Sequence, residues 1–182
     1  MSATPVAAKS YARALHELAR ERSQTEVVGR ELDAVAELLR ADATLRDFFV
    51  RPWIGPAKKR DVATAIGARL GLSQMTRDFL GLVAQKGRAE YLEAMAAQFQ
   101  RLIDADLNRV RARVRTAVAL TDAERTALAD KLGRALGGKT VLIEETVDSQ
   151  LLGGFVAEIG SFIVDGSLDG QLARLRERLV RA

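Results

Sequence analysis

A stretch near the C-terminus restricts the possible folds more than any other part of the chain. It runs through Val147, Asp148, Leu151, Leu152, Gly153 and Gly154, then Ile163, Val164, Asp165, Gly166, Ser167 and Leu168. The stretch is read as carrying no chemistry; what it encodes is shape. Paired glycines lead into an apolar run, Gly160 supplies a turn, a second short apolar run follows, and Asp-Gly-Ser-Leu opens a helix. Together these signals prescribe a β-hairpin that feeds directly into a helix.

Ahead of that unit, residues 1–105 repeat apolar side chains at helical spacing between recognisable stops. Ala8, Tyr11, Leu15 and Leu18 mark a first helix, and Ser23 with Glu26 has the spacing of a capping box opening a second, which buries Val28, Leu32, Val35 and Leu39. Leu45, Phe48 and Phe49 form a short third element ended by Pro52. Pro56 and Gly71 bracket a fourth, whose apolar stripe is Val62, Ile66 and Leu70. Ser73 caps a fifth carrying Phe79, Leu80, Leu82 and Val83 up to Gly87, and a sixth aligns Leu92, Met95, Phe99 and Leu102. Six helices with short connections imply a bundle.

Past residue 105 the period drops to two, because Val110, Ala112, Val114 and Thr116 alternate with Arg109, Arg111, Arg113 and Arg115. Residues 106–182 therefore read as a second domain. Thr121 and Glu124 make a capping box for a helix lined by Leu128, Leu132 and Leu136 and stopped by Gly137 and Gly138. Strand-forming runs follow at Thr140 to Val147, Phe155 to Ile159 and Phe162 to Val164, and Leu168, Leu172, Leu175 and Leu179 stripe a last helix. The expected class is α+β: an N-terminal six-helix bundle, then a small mixed α/β domain. A domain of this size is near the limit at which it buries enough of its own core, so it gains from docking onto a partner.

Composition removes several classes of function. A hydrophobic content of 48% is that of a globular chain. There is no cysteine, hence no disulfide, thiolate metal site or cysteine nucleophile. Apolar runs such as Phe79 to Ala84 fall far short of the roughly 20 residues a membrane-spanning helix needs, so any attachment to a membrane has to come through a partner. Residues 1–9 lack an apolar signal core. Glu17 and Glu21 interrupt the Arg13 and Arg20 pattern of a transit peptide, which favours a bacterial origin. The net charge of +4 is spread along both halves rather than gathered into one polycationic face.

Two motifs offer alternatives. Gly133 to Thr140 satisfies the eight-position phosphate-loop pattern ending in Gly-Lys-Thr, which would make the chain a nucleotide hydrolase acting through Lys139. A working loop leaves a strand and enters a helix, whereas here a helix runs into the glycines and a strand follows, so a glycine helix stop is the better reading. The arginine row from Arg109 to Arg115 would make a basic RNA-binding surface, yet no exposed aromatic side chain accompanies it to stack on bases. His16 has no second imidazole or thiol with which to hold a metal. Glu144 and Glu145 are adjacent on a strand and point to opposite faces, unlike a catalytic carboxylate pair. Asp148 and Asp165 have the placement of turn carboxylates. No catalytic residue, metal or cofactor is expected. The small residues of the first helix, Ala7, Ala8, Ala12, Ala14 and Ala19, suit either close core packing or a groove for a partner helix.

The chain as a whole resembles the ATP synthase delta subunit family, also called the oligomycin-sensitivity-conferring protein. Ser10, Tyr11, Ala12, Ala14 and Leu15 resemble the family's opening helix, and Phe79 to Leu82 with Lys86, Gly87 and Arg88 its fifth-helix end. Val114, Thr116, Ala117 and Leu120 resemble the start of the C-terminal domain. Val147, Asp148, Leu151, Gly153 and Gly154, then Ile159, Gly160, Ile163, Asp165, Ser167 and Leu168, are similar to its C-terminal signature. Ser149 and Gln150 stand where the family often shows Pro and Ser, and Glu158 where a basic residue is common.

The resemblance implies a non-catalytic stator subunit of the F-type ATP synthase, peripheral to the cytoplasmic face of a bacterial plasma membrane. It implies an N-terminal domain, residues 1–105, that grips N-terminal segments of the alpha subunits in a groove between its first and fifth helices. Candidate contacts there are Ala8, Tyr11, Ala12, Leu15, Phe79 and Val83. It implies further that residues 106–182 bind the C-terminal ends of the b subunits, with Gly154, Phe155, Leu172, Leu175 and Leu179 as candidates. No nucleic acid and no direct membrane insertion is implied; the role is to couple proton flow to ATP synthesis.

Overall fold

The computed structural model describes residues 6–181. The class is α+β, and the chain divides between Ile103 and Asp104 into two compact units. The elements of the first part are α1 (Val6–Glu21), α2 (Thr25–Ala41), α3 (Ala43–Val50), α4 (Pro56–Arg69), α5 (Gln74–Gln85) and α6 (Leu92–Asp106), with a short 3-10 turn, Ala89–Tyr91, before α6.

Side-chain chemistry fixes where these helices start. Asp42 caps α3 by accepting from the Leu45 N–H at 3.0 Å, and Pro56 occupies the first turn of α4, where a missing N–H costs nothing. The α1–α2 connection departs from the expected capping box. Ser23 has φ +54°, and the N–H groups of Ser23 and Gln24 bond back to the carbonyls of Arg20 and Ala19 at 3.1 and 2.8 Å. That is a Schellman closure of α1, with serine in the left-handed position that glycine usually takes. Ser23 therefore ends one helix and does not cap the next; α2 begins after Gln24 with no side-chain cap.

The centre of the first unit is Val28, Leu32, Val83, Met95 and Phe99, contributed by α2, α5 and α6 and fully buried. Truncating a buried phenylalanine such as Phe99 to alanine costs about 3–5 kcal/mol. The buried face of α4 is Lys59, Ala63 and Gly67, with Val62 and Ile66 at its edge and Leu70 exposed. The expected Val62–Ile66–Leu70 stripe is thus rotated outward, because α4 and α5 meet through small residues. A Cβ on Gly67 would lie 2.8 Å from Arg77 Cγ, and one on Gly81 3.2 Å from Thr64 Oγ1. Lys59 is buried for a specific reason: its Nζ donates to the Phe49 carbonyl at 2.6 Å, satisfying an acceptor at the negative end of α3.

The second unit contains β1 (Arg109–Thr116), α7 (Asp122–Ala135), β2 (Thr140–Val147), β3 (Phe155–Ile159), β4 (Phe162–Asp165) and α8 (Leu168–Arg181). The sheet order is β2-β1-β3-β4, with β1 and β2 parallel and the other neighbours antiparallel. The parallel pair requires a crossover, and α7 supplies it. Leu128 and Leu132 of α7 pack on Ala112, Val114, Val141, Ala157 and Ile159, one face of the sheet. Thr121 and Glu124 form a complete capping box at the start of α7. The Thr121 hydroxyl, followed by its N–H, holds the Glu124 carboxyl below the usual range.

Candidate functional site

The places where bond chemistry might reside are occupied structurally. α7 ends at Ala135; Gly137 and Gly138 follow with φ +77° and +83°, and the Gly138 N–H returns to the Gly133 carbonyl at 2.9 Å. The phosphate-loop pattern is therefore a helix C-terminus leading into β2. A phosphate there would meet carbonyl oxygens at the negative end of the helix. The arginine row is a ladder of ion pairs. Asp104 takes Arg111 at 2.6 Å and Arg109 at 3.4 Å, Glu144 takes Arg111 at 3.2 Å and Arg113 at 3.9 Å, and Asp148 takes Arg115 at 3.3 Å. Its charge is largely spent within the fold, which removes the basis of the RNA-binding reading. Glu145 faces the other way, accepting from Leu120 N–H at 2.7 Å, Arg125 at 2.8 Å and Thr116 Oγ1 at 3.2 Å. Among the described residues no group of three or more His, Asp or Glu is placed to hold a metal ion.

Two surfaces remain. The first is an open groove of about 470 Å³ between α1 and α5. From α1 it is lined by Ser10, Tyr11, Ala14, Leu15, Leu18 and Arg22, which recur every three or four residues and so form one helical face. From α5 come Met75, Asp78, Phe79 and Leu82. Tyr11 and Phe79 meet edge to face with ring centroids 6.4 Å apart. Leu18 and Leu82 are 49% and 45% exposed, so the groove presents apolar surface that the described residues do not cover.

Of the candidate contacts for this groove, Tyr11, Leu15 and Phe79 line it. Ala8, Ala12 and Val83 have 0% exposure and belong to the core. Ala8, Ala12 and Ala19 are thus packed against this chain's own helices, where a partner cannot reach them, whereas Ala14 faces the groove. The lining side chains that are not among those candidate contacts are Ser10, Ala14, Leu18, Arg22, Met75, Asp78 and Leu82; of these, Ala14 belongs to the small residues for which a groove was one of the two expectations. A signal for two of them existed: Leu18 and Leu82 are large apolar residues at the margin of their helices' stripes.

The second surface belongs to the other unit. Leu172 and Leu179 of α8 are 57% and 78% exposed, and Phe162 and Ile163 of β4 are 69% exposed. α8 is amphipathic, yet Leu168, Leu172 and Leu179 all face solvent. Phe155 is half-buried, with its ring against Gly166, and Gly154 is exposed. Leu175 lies outside the residues whose side chains are described. The junction that leads into α8 is tightly built. Asp165 Oδ1 accepts from the Ser167 N–H at 2.9 Å and hydroxyl at 2.6 Å, and Ser167 Oγ accepts from the Gly170 N–H at 3.0 Å as a helix cap. Gly166 N–H bonds to the Phe155 carbonyl at 3.0 Å, and Leu168 N–H to the Gly153 carbonyl at 2.9 Å. Gly154 has φ +79°, and a Cβ on it would overlap the Gly166 carbonyl oxygen.

This fold and these surfaces have relatives. The family model described as ATP synthase delta (OSCP) subunit matches residues 7–179. The chain belongs to the ATP synthase delta (OSCP) subunit family. It is 38% identical over 169 residues to the ATP synthase subunit delta of Rhodospirillum rubrum, covering 93% of this chain and 90% of that protein. To the ATP synthase subunit delta of Syntrophobacter fumaroxidans it is 35% identical over 176 residues, covering 97% and 96%. Its fold is that of a chain in the Toxoplasma gondii mitochondrial ATP synthase hexamer, with a TM-score of 0.68, 19% identity and coverage of 95% and 97%. A chain from Polytomella F-ATP synthase, in a refinement focussed on the F1 head and rotor, aligns with a TM-score of 0.51 and 21% identity, over 58% of this chain and 90% of that one.

Membership makes the protein a non-catalytic, peripheral-stalk subunit of an F-type ATP synthase. No helix among the described residues is long and apolar enough to cross a membrane. The nucleotide-hydrolase and RNA-binding alternatives have no support from the relatives or from the geometry.

Proposed function

We propose that this chain is a mechanical tether with a docking surface on each of its two units. The α1–α5 groove receives a helical N-terminal segment of an alpha subunit of the catalytic head, and α8 with the exposed β4 receives the C-terminal ends of the b subunits. The observation that carries this reading is the groove, an uncovered apolar channel on a stable helical unit. Helix-in-groove recognition needs apolar anchors at helical spacing and no reactive group, which is what Tyr11, Leu15, Leu18, Phe79 and Leu82 provide. The similar Polytomella chain belongs to a structure refined on the F1 head and rotor, consistent with a subunit attached to the head. The bacterial relatives favour a place on the cytoplasmic face of a plasma membrane.

Rotation of the head with the rotor dissipates the torque that proton flow generates, so a stator has to hold the head still. Load passes in series through the head contact, this chain and the stalk contact. Weakening either end uncouples proton flow from ATP synthesis and spares the head's own hydrolysis. A Leu18→Arg variant tests the groove end: it is expected to fold normally, since Leu18 is half exposed, and to lose cosedimentation with the purified head. Wild-type affinity of that variant for the head contradicts the proposal.

A further inference from the structure

The groove carries charges that its proposed role does not use. Resting on the reading of the groove as the seat of an incoming helix, a further property of that helix follows. The floor is apolar, but the ends are cationic. Arg22 lines one end, and at the other the Arg88 guanidinium lies over the Tyr11 ring, 5.7 Å from its centroid. Among the described residues neither Arg22 nor Arg88 has a carboxylate partner, whereas Arg40, Arg111, Arg115 and Arg125 are all held in ion pairs. Asp78, exposed on the α5 wall, accepts from the Gln74 side-chain amide at 2.7 Å.

We infer that the groove selects an amphipathic helix of about three turns that carries an acidic side chain near each end and none in the middle. The length follows from α1 and the residue just past it: Tyr11 and Arg22 are about 16 Å apart along the axis at about 1.5 Å per residue. The apolar floor supplies affinity without direction, so by itself it tolerates a helix displaced by one turn. The two guanidinium groups give register, because a shift of about 5.4 Å removes an acidic side chain from at least one of them. Asp78 opposes a third carboxylate between them and so rejects a helix that is acidic along its whole length. The helix of this same chain with exposed leucines, α8, fits poorly because it presents Arg174 and Arg176 to solvent, so a helix from another protein is the occupant inferred.

The test uses the full-length chain and three labelled synthetic peptides of fourteen residues with one apolar face. One has Glu at both ends, one has Lys at both ends, and one has Glu at every polar position. In low salt the Glu-ended peptide is expected to bind about tenfold more tightly than the Lys-ended one, since two rim pairs are gained in one and turned repulsive in the other. It is also expected to bind more tightly than the all-Glu peptide. The preference is expected to reverse in the Arg22→Glu/Arg88→Glu variant and to shrink to about twofold or less in roughly 0.5 M salt. Equal binding of the Glu-ended and Lys-ended peptides to the wild type overturns the charge selection; the groove reading survives that result if Leu18→Arg abolishes binding of both. If Leu18→Arg changes nothing, the peptides bind elsewhere and both readings fall. A concentration-dependent dimer that Leu18→Arg dissociates assigns the groove to a second copy and overturns the inference.

Discussion

Ser73, at the start of α5, gives both its N–H and its hydroxyl to the carboxylate of Glu31 on α2, at 2.7 and 2.6 Å. The Thr76 hydroxyl adds a third bond to the same carboxylate. One acidic side chain therefore anchors the first turn of the helix that forms a wall of the groove, and Thr76 has no exposed surface from which to find water instead. Glu31→Ala is expected to destabilise the chain by about 1–3 kcal/mol, because it strands buried donors. Ser73→Ala is expected to cost about 1 kcal/mol, the usual cost of a lost helix cap. Chemical denaturation of the two variants checks the order as well as the size.

Gly154→Ala is expected to destabilise the second unit by at least about 1–3 kcal/mol. The residue would be held at φ +79° with its methyl group against the Gly166 carbonyl, and backbone cannot yield as a flexible side chain can. A control at Gly160, which has φ +61° but open space around it, should be affected by the conformational strain alone. Thermal unfolding should rank Gly154→Ala below Gly160→Ala.

Acid should loosen the second unit through Asp165 and Glu145 as well as Glu124. The Ser167 hydroxyl, then its N–H, holds Asp165 below the usual carboxylate range, and Arg125, then the Leu120 N–H, does the same for Glu145. A depressed folded pKa means that the unfolded chain takes up the proton first. The stabilisation is therefore complete above the unfolded value, about 4, and is lost as pH falls through the lower folded values. Tm is expected to hold between about pH 7 and pH 5 and to drop below about pH 4. Asp165→Asn and Glu145→Gln are each expected to lower Tm at neutral pH and flatten the acid limb. An unchanged acid limb in both variants would contradict this assignment.

On the stalk side, Leu172→Glu combined with Leu179→Glu is expected to change stability by about 0.5 kcal/mol or less, since both leucines already face water. The same variant is expected to lose copurification with b subunits while still binding the head. Retained b-subunit binding would move the stalk contact away from α8.

Much of this was legible in the sequence, for identifiable reasons. Helix starts and stops at Pro56, Gly71, Ser73, Thr121 and Gly137 depend on local chemistry, which the sequence carries in full. The alternation from Val110 to Thr116 likewise reports directly that one face of β1 lies under α7. Failures arose where two local demands competed or where the deciding partner is distant in sequence. Ser23 had the spacing of a cap, but closing α1 required a left-handed residue, and that demand prevailed. The α4 stripe rotated because the glycines of α4 and α5 allow a close crossing that no periodicity within α4 announces. A groove does lie between α1 and α5, yet of the alanines of α1 only Ala14 lines it, while Ala8, Ala12 and Ala19 are buried. Whether small residues line a groove or a core depends on what the rest of the chain places over them.

The claim that the chain works as a tether is tested most directly in vesicles that contain the whole reconstituted synthase with Leu18→Arg in this subunit. The account predicts that proton-driven ATP synthesis is lost while ATP hydrolysis by the head continues at the wild-type rate. Normal ATP synthesis in those vesicles, with the variant's groove blocked, would contradict it.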